Sequence, residues 1–295
     1  MVRSLRFSIP SVAALLGLAV VGAVALFPRD VERAPVEERP FAFSREVVLP
    51  LPPIPRIPKE KVDLGRTLFF EKRLSRDGTI SCASCHDPAR GGADGLQHAV
   101  GIGGAEGSVN TPTVFNAALN VLQFWDGRAN SLEAQASGPV HNPIEMDSSW
   151  EQVTRKLEAD PVYVSAFRAL YKDGITADNI VDAIAAFERT LISSGSRFDR
   201  YLRGDAAALT ESERRGYERF LDYGCASCHQ GAAIGGNMLQ KFGVLADRLQ
   251  GRKPTNADLG RFNVTRRDED KFVFKVPGLR DVARTAPYFH DGSVA

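Results

Sequence analysis

The sequence predicts a mainly α-helical protein with long loops, built as two similar halves behind an export segment. Three observations predict it. Apolar residues recur at helical spacing, with capping residues ahead of them, through most of the chain after residue 59. Period-2 alternation is confined to Lys271-Phe272-Val273-Phe274-Lys275, a candidate short strand. The run C-A-S-C-H occurs twice, at 82–86 and 225–229, and uses all four cysteines. With 295 residues, 43% of them apolar, the chain has room for two domains of ordinary size and is too apolar to be disordered. The 37 Lys+Arg against 36 Asp+Glu exclude a nucleic-acid binder that relies on bulk positive charge.

The elements follow in order. Arg3 and Arg6 form a basic start, Val12 to Phe27 carries no charge, and Ala23-Val24-Ala25 offers a small-residue cleavage site. Residues 1–27 therefore read as a signal peptide or, if uncleaved, an N-terminal membrane anchor. Residues 28–58 hold eight of the 17 prolines. That density excludes helix and makes an extended linker, either a spacer or an arm lying on the folded domain.

Leu64, Leu68 and Phe69 then share one helical face. A Gly-rich stretch from 87 to 112 has no periodicity, and a loop that long in a compact domain is usually functional. A short helix carries Leu132, Glu133 and Gln135. Ser148 with Glu151 makes a capping box ahead of Val153 and Leu157. Asp160 caps a helix that begins with Pro161 and points Val164, Phe167 and Leu170 inward. Ile180, Ala183, Ile184, Phe187 and Leu191 form the cleanest apolar stripe. Ser193-Ser194-Gly195-Ser196 interrupts the pattern and separates domains 59–198 and 199–295. Thr210 with Glu213 caps a further helix through Phe220 and Leu221.

Both C-x-x-C pairs are followed directly by His, in a chain with only five His. This is the spacing of c-type haem attachment. Two thiols one turn apart add to the two vinyl groups of one porphyrin, and the adjoining imidazole binds the iron. Three other readings exist for such cysteines. A redox dithiol needs one pair and no His. A zinc site would leave both His idle and would join pairs 139 residues apart. A disulfide within either pair closes an awkwardly small ring. The halves also repeat around the pairs. Gly65 with Phe69-Phe70, and Gly216 with Phe220-Leu221, precede them; Gly91-Gly92 and Gly235-Gly236 follow. The expectation is two cytochrome c-like helical domains, each wrapping one covalently attached haem c. Cys82, Cys85 and His86 hold the first; Cys225, Cys228 and His229 hold the second. Haem c is attached outside the cytoplasm, in keeping with export.

The segment between the two sites carries more than haem wrapping requires. It contains N-T-P-T-V-F-N-A at 110–117, Q-F-W-D-G-R-A at 123–129 and G-P-V-H-N-P-I-E-M at 138–146. With L-F-F-E-K-R-L-S at 68–75, Q-K-F-G-V at 240–244 and A-P-Y-F-H-D-G at 286–292, the chain resembles the bacterial dihaem cytochrome c peroxidase family, MauG branch included. The resemblance runs from Leu64 to His290. It implies reduction of hydrogen peroxide to water in the periplasm, with electrons from a small cytochrome c or a cupredoxin. The first domain would be the peroxidatic one and the second, incomplete at its C-terminus, the electron-transfer one.

The resemblance also assigns residues. Glu145 matches the family's acid–base group, Gln135 a polar group that orients peroxide, and Trp125 an indole lying between the haems. Taken alone, Glu145 favours a helix N-terminus, Gln135 is a surface amide and Trp125 is core packing. A calcium ion between the domains would take the Asn110 side chain and the Thr285 and Pro287 carbonyls, although Asn110 also suits a turn before Thr111-Pro112. Many family members place a His, as sixth ligand of the first haem, where Ile102 stands here. Either His98 takes that role, or the first iron is five-coordinate and open. The family's Met ligand to the second haem, and the Tyr of the MauG branch, lie beyond Pro-Tyr-Phe-His. Here the sequence reads only to Ala295, so the chain is a fragment or its second haem lacks that ligand, with Met238 and His290 as substitutes. His141, between Pro139 and Pro143, reads as a structural loop His. The function classes are a peroxidase, a MauG-like oxidase of a protein side chain, and a dihaem electron carrier without catalysis. A homodimer is left open, and the near balance of charge offers no strong steering patch.

Overall fold

The fold is described from a computed structural model over residues 47–243, 249 and 251–295, which belong to one compact unit of the chain. The expected signal or anchor, most of the Pro-rich linker and Val244 lie outside the described residues. Among the described residues no helix is long and apolar enough to cross a membrane.

The first half is a helical bundle. Helix α1 (Lys59–Phe69) and α6 (Ala177–Glu188) cross where Gly65 meets the Ala183 carbonyl; a Cβ at Gly65 would run into that oxygen. The close crossing lets Phe69 meet Phe187 edge-on at 5.2 Å. Between them lie α2 (Cys82–Cys85), α3 (Leu132–His141), α4 (Trp150–Glu158) and α5 (Pro161–Leu170). The common core takes Leu64, Leu68 and Phe69 from α1, Val140 and Met146, Val153 and Leu157 from α4, Tyr163 and Phe167 from α5, and Ile180, Ala183, Ile184 and Phe187 from α6. Each fully enclosed Leu, Ile or Phe contributes about 1.5–3 kcal/mol by burial.

The mainly helical expectation holds, with local corrections. The cap of α4 is Ser149, whose hydroxyl accepts the Gln152 N–H at 3.3 Å. Ser148 is drawn inward because its N–H bonds the Val140 carbonyl, and its hydroxyl has no partner. Tyr163 rather than Val164 joins Phe167 as a buried residue of α5, its hydroxyl donating to Glu71 at 2.7 Å. The stripe residue Leu191 lies beyond α6 and is half-buried. Helix α3 continues through Gly138 and Pro139, so His141 ends a helix and does not sit in a loop.

The second half contains α7 (Arg197–Leu202), the capping-box helix α8 (Glu211–Asp222) and the short α9 (Phe262–Thr265). Strands β1 (Leu239–Lys241) and β2 (Val273–Lys275) pair antiparallel with Leu239 opposite Lys275. The strand expected at 271–275 thus forms over its last three residues.

The end of the Pro-rich segment is an arm on this half. Val48 bridges Gly231, and Leu51 is fully buried. The arm is held by a buried ion pair: Asp199 accepts the Leu51 N–H at 2.9 Å and faces Arg280 Nη1 at 3.0 Å, while Arg280 Nη2 donates to the Leu49 carbonyl at 2.9 Å. Burial works against the Asp199 charge, but the Leu51 N–H, Arg280 and Ser196 outweigh it and hold the carboxyl below its usual range. Removing one partner strands a buried charge. Asp199→Ala should destabilise the haem-loaded protein by about 3 kcal/mol, read by chemical denaturation.

Candidate functional site

The two C-A-S-C-H runs adopt parallel geometries. Ser81 and Ser84 form the capping box of α2, Cys82 packs on the helical core, and His86 follows directly. His86 Nδ1 lies 3.3 Å from the Gly92 carbonyl. His229 Nδ1 lies 3.3 Å from the Ile234 carbonyl. Each imidazole thus has one nitrogen turned to a backbone acceptor, which orients the ring and leaves Nε2 available to a metal. Burial is the largest influence on both rings and lowers their pKa, so both stay neutral, the state that binds iron.

The alternative readings of the cysteines lose ground. Burial pushes the Cys82 thiol up to about 12 and Cys85 up to about 11, the reverse of the thiolate-favouring setting of a redox dithiol. Among the described residues no metal-binding cluster includes a cysteine, and no disulfide joins any of the four.

The second site opens on a cavity of about 630 Å³. Cys228 and His229 are on its wall, with Phe242, Phe274, Val276 and Leu279 among its apolar surfaces. An apolar chamber of this size behind an oriented imidazole and an adjoining thiol fits a covalently held porphyrin. Trp125, Asn110, Thr285 and Pro287 share the wall. Trp125 Nε1–H donates to the Asn110 carbonyl at 2.8 Å, and its own carbonyl accepts the Lys275 N–H at 2.8 Å. Trp125 thereby ties the 110 loop to β2 at the edge of the second site. Asn110 is buried and donates its side-chain amide to the Leu96 carbonyl at 2.9 Å.

Glu145 is held at the first site. Its neighbour Met146 is locked in the core, and its carbonyl accepts the Ile102 N–H at 2.9 Å. The loop can come this close because residue 101 is Gly; a Cβ there would run into the Ile144 carbonyl. The Asn142 side-chain amide donates to Glu145 Oε1 at 2.6 Å. Burial raises the pKa of Glu145 above its ordinary value, against the opposing pull of Asn142 and Arg128. After burial, the Asp94 and Glu145 charges act on the Cys85 thiol, so the carboxyl acts electrostatically on the first attachment point. Gln135 is half-buried on α3, one turn before Pro139.

The remaining candidates are placed as follows. His98 Nδ1 lies 2.9 Å from Glu106 Oε1, beside the Val100–Glu106 bridge. Ile102 is buried next to Glu145. His290 lines the second cavity, but its Nε2 sits 3.0 Å from Asp258 Oδ1 and its ring stacks on Phe274. Met238 is not among the described residues that line that cavity. His141 bonds the Ser137 carbonyl and packs against Trp150.

Three contributors escaped the sequence reading. Asn142 carries a weak signal, an amide three residues before Glu145. Arg128 acts on Glu145 from a separate loop, and Lys275 is buried in the short strand; neither leaves a local pattern.

A helical chain with two oriented C-x-x-C-H sites and a buried carboxyl at one of them defines a dihaem c-type protein. The chain matches the family of di-haem cytochrome c peroxidases over residues 59–207. It is 51% identical over 249 residues to the cytochrome c peroxidase Ccp of Escherichia coli, covering 83% of this chain and 53% of that one. It is 44% identical over 250 residues to the cytochrome c551 peroxidase of Nitrosomonas europaea, covering 83% and 74%. The crystal structure of a MauG-like protein associated with microbial copper homeostasis superposes with a TM-score of 0.72 at 32% identity, covering 86% and 79%. The chain belongs to the di-haem cytochrome c peroxidase family, which carries two haem c groups. It spans about half the length of the Escherichia coli relative.

Replacing Cys82 and Cys85 together by Ala should remove one covalent haem and leave the second, as read by mass spectrometry of the intact chain; loss of neither would refute the first attachment site.

Proposed function

We propose that this chain is a periplasmic dihaem c peroxidase that reduces hydrogen peroxide to water. The donor is a small cytochrome c or a cupredoxin. Two electrons and two protons break the O–O bond, and both oxygens leave as water. The observation that carries this reading is Glu145, a carboxyl half-enclosed at the first site, fixed by Asn142 and raised in pKa by burial.

When bound, the haem irons supply the electrons one at a time and polarise the O–O bond. The protein supplies the rest. Glu145, as carboxylate, takes the proton of one peroxide oxygen and returns it to the departing one. A raised pKa brings that exchange nearer to neutral pH, where both directions are accessible. Gln135 orients peroxide by its amide, and Trp125 bridges the two sites for electrons. Asn110, Thr285 and Pro287, all on one wall, offer the hard oxygen donors that suit a calcium ion. Ile102 has no ligand atom and His98 faces Glu106, which supports an open first site. A ferric protein with a high-spin signal in electron paramagnetic resonance at neutral pH is expected; low-spin signals alone would make His98 the ligand. A MauG-like oxidation of a protein side chain is supported by the MauG-like structural neighbour, whereas the more similar relatives are named peroxidases.

The test is steady-state peroxide consumption with a reduced small cytochrome c. Glu145→Gln should lower kcat by about 10²–10⁴-fold at unchanged haem content. In the wild type, kcat/KM should fall as pH drops through a pKa above 4.5, because only the carboxylate accepts the proton. That limb should vanish in Glu145→Gln. In Asn142→Ala it should move to higher pH, since the lost hydrogen bond favours the ionised form. Chelation should lower turnover, with recovery on adding Ca²⁺ but not Mg²⁺.

A further inference from the structure

The cavity at His229 is one-sided in charge. No Asp or Glu is among the described residues that line it, whereas Lys241, Lys275 and Arg280 are. Arg280 is spent on protein partners: Asp199 at 3.0 Å, and the Ala232 and Leu49 carbonyls at 2.9 Å each. Lys241 is exposed. Lys275 is different. It is only 7% exposed, between the buried Phe274 and Val276, and its backbone is fixed by the Trp125 carbonyl. No carboxylate among the described residues pairs with its ammonium. Burial alone acts on it and pushes its pKa down to about 8. An ammonium buried without a counter-charge is costly, so a lysine held this way on a cavity wall points to an anionic ligand in the cavity.

We propose that Lys275 is the counter-charge for a carboxylate of the ligand in this cavity, a propionate of the second haem c, and that it positions that haem and raises its reduction potential. The proposal rests on the dihaem reading. A nearby positive charge disfavours the additional charge of ferric iron, so the ferrous state gains. Lys275 is a positioning residue: it touches the cofactor's periphery and takes no part in proton transfer to peroxide. Because its N–H is held by Trp125, the same strand residue couples haem placement to the proposed electron bridge.

The experiment is a spectroelectrochemical titration of the haem-loaded protein after a count of covalent haems. A count below two overturns the dihaem reading itself. With two haems, Lys275→Gln should lower the midpoint potential of the second haem and leave that of the first unchanged, while Lys275→Arg should restore it. An unchanged second potential in Lys275→Gln overturns the proposal and leaves the dihaem reading intact. If Lys275→Gln loses the second haem, the pH profile of Lys275→Arg decides. Guanidinium stays charged, so its second-haem potential should hold steady from about pH 8 to 11, where the wild-type potential falls as the ammonium deprotonates. The other titratable and charged groups on the wall, Lys241, Arg280, Tyr288, His229 and His290, and the Asp199 and Asp258 paired with Arg280 and His290, are common to both proteins. Identical profiles in the two would overturn the proposal.

Discussion

The approach of α1 to α6 at Gly65 is the constraint on which the first half depends. Only a residue without Cβ lets the Ala183 carbonyl come that close, and only at that distance do Leu68, Phe69 and Phe187 close into one core. Helix α6 then offers its other side to α3, where Ala185 meets Leu132 and Ala117. Val140 near the end of α3 and Met146 six residues further on are both in the core. The turn between them has no freedom left, and Glu145 stands on it. Packing at both flanks and the Ile102 N–H on its main-chain carbonyl fix the backbone of Glu145, so its carboxyl is preorganised for the proposed proton transfer before any side-chain bond is counted. Asn142 then sets the direction of the carboxyl and tempers its pKa.

The second half is organised by charge where the first is organised by packing. Its described buried apolar residues are few and scattered, Phe274 and Val276 among them. Its closest ties are polar: Asp199 with Arg280 and the Leu51 N–H, and Asp258 with Arg252 and His290. Asp258 is held well below the usual carboxylate range, first by the Arg252 guanidinium. Asp258, His290 and Asp291 lie close enough to suggest a metal site, but Arg252 already occupies the cation's place between the two carboxylates. His290 is thus held by Asp258 and Phe274 in a buried network on the wall of the second cavity.

What the sequence disclosed was what is local. The apolar stripe at 180–187, the Asp160-Pro161 start and the Thr210–Glu213 capping box each depend on residues within a turn or two, and each forms. The C-A-S-C-H runs were legible for the same reason, since attachment chemistry dictates their spacing. Ser148 was misread as a cap because a distant carbonyl, Val140, pulls its N–H into the bundle. The alternation at 271–275 marked a strand but said nothing of which residues would be buried, and Phe274 and Lys275 both are. Arg128 acts on the Glu145 charge from another loop, and no helical or strand period links the two. The calcium positions were named only by resemblance, since one amide and two backbone carbonyls leave no side-chain signature.

The two sites also differ in the sign of the charge around them. Acids gather at the first: the Asp94 and Glu145 charges act on Cys85, and Glu188 acts on Cys82 once it ionises. Burial pushes Glu188 up to about 8 and the Glu133 charge adds to the rise, so this carboxyl is neutral at pH 7 and ionises above it. Bases gather at the second: Lys275, Arg280 and Lys241. Negative surroundings favour ferric iron and positive surroundings favour ferrous iron. On the proposed reading, electrostatics therefore separates the two potentials in the direction the chemistry needs. The base-lined site is the one that holds an electron in reserve, and the acid-lined site is the one where a carboxylate can move the proton of peroxide. Two copies of one attachment motif acquire different work from the side chains that the rest of the fold brings to them.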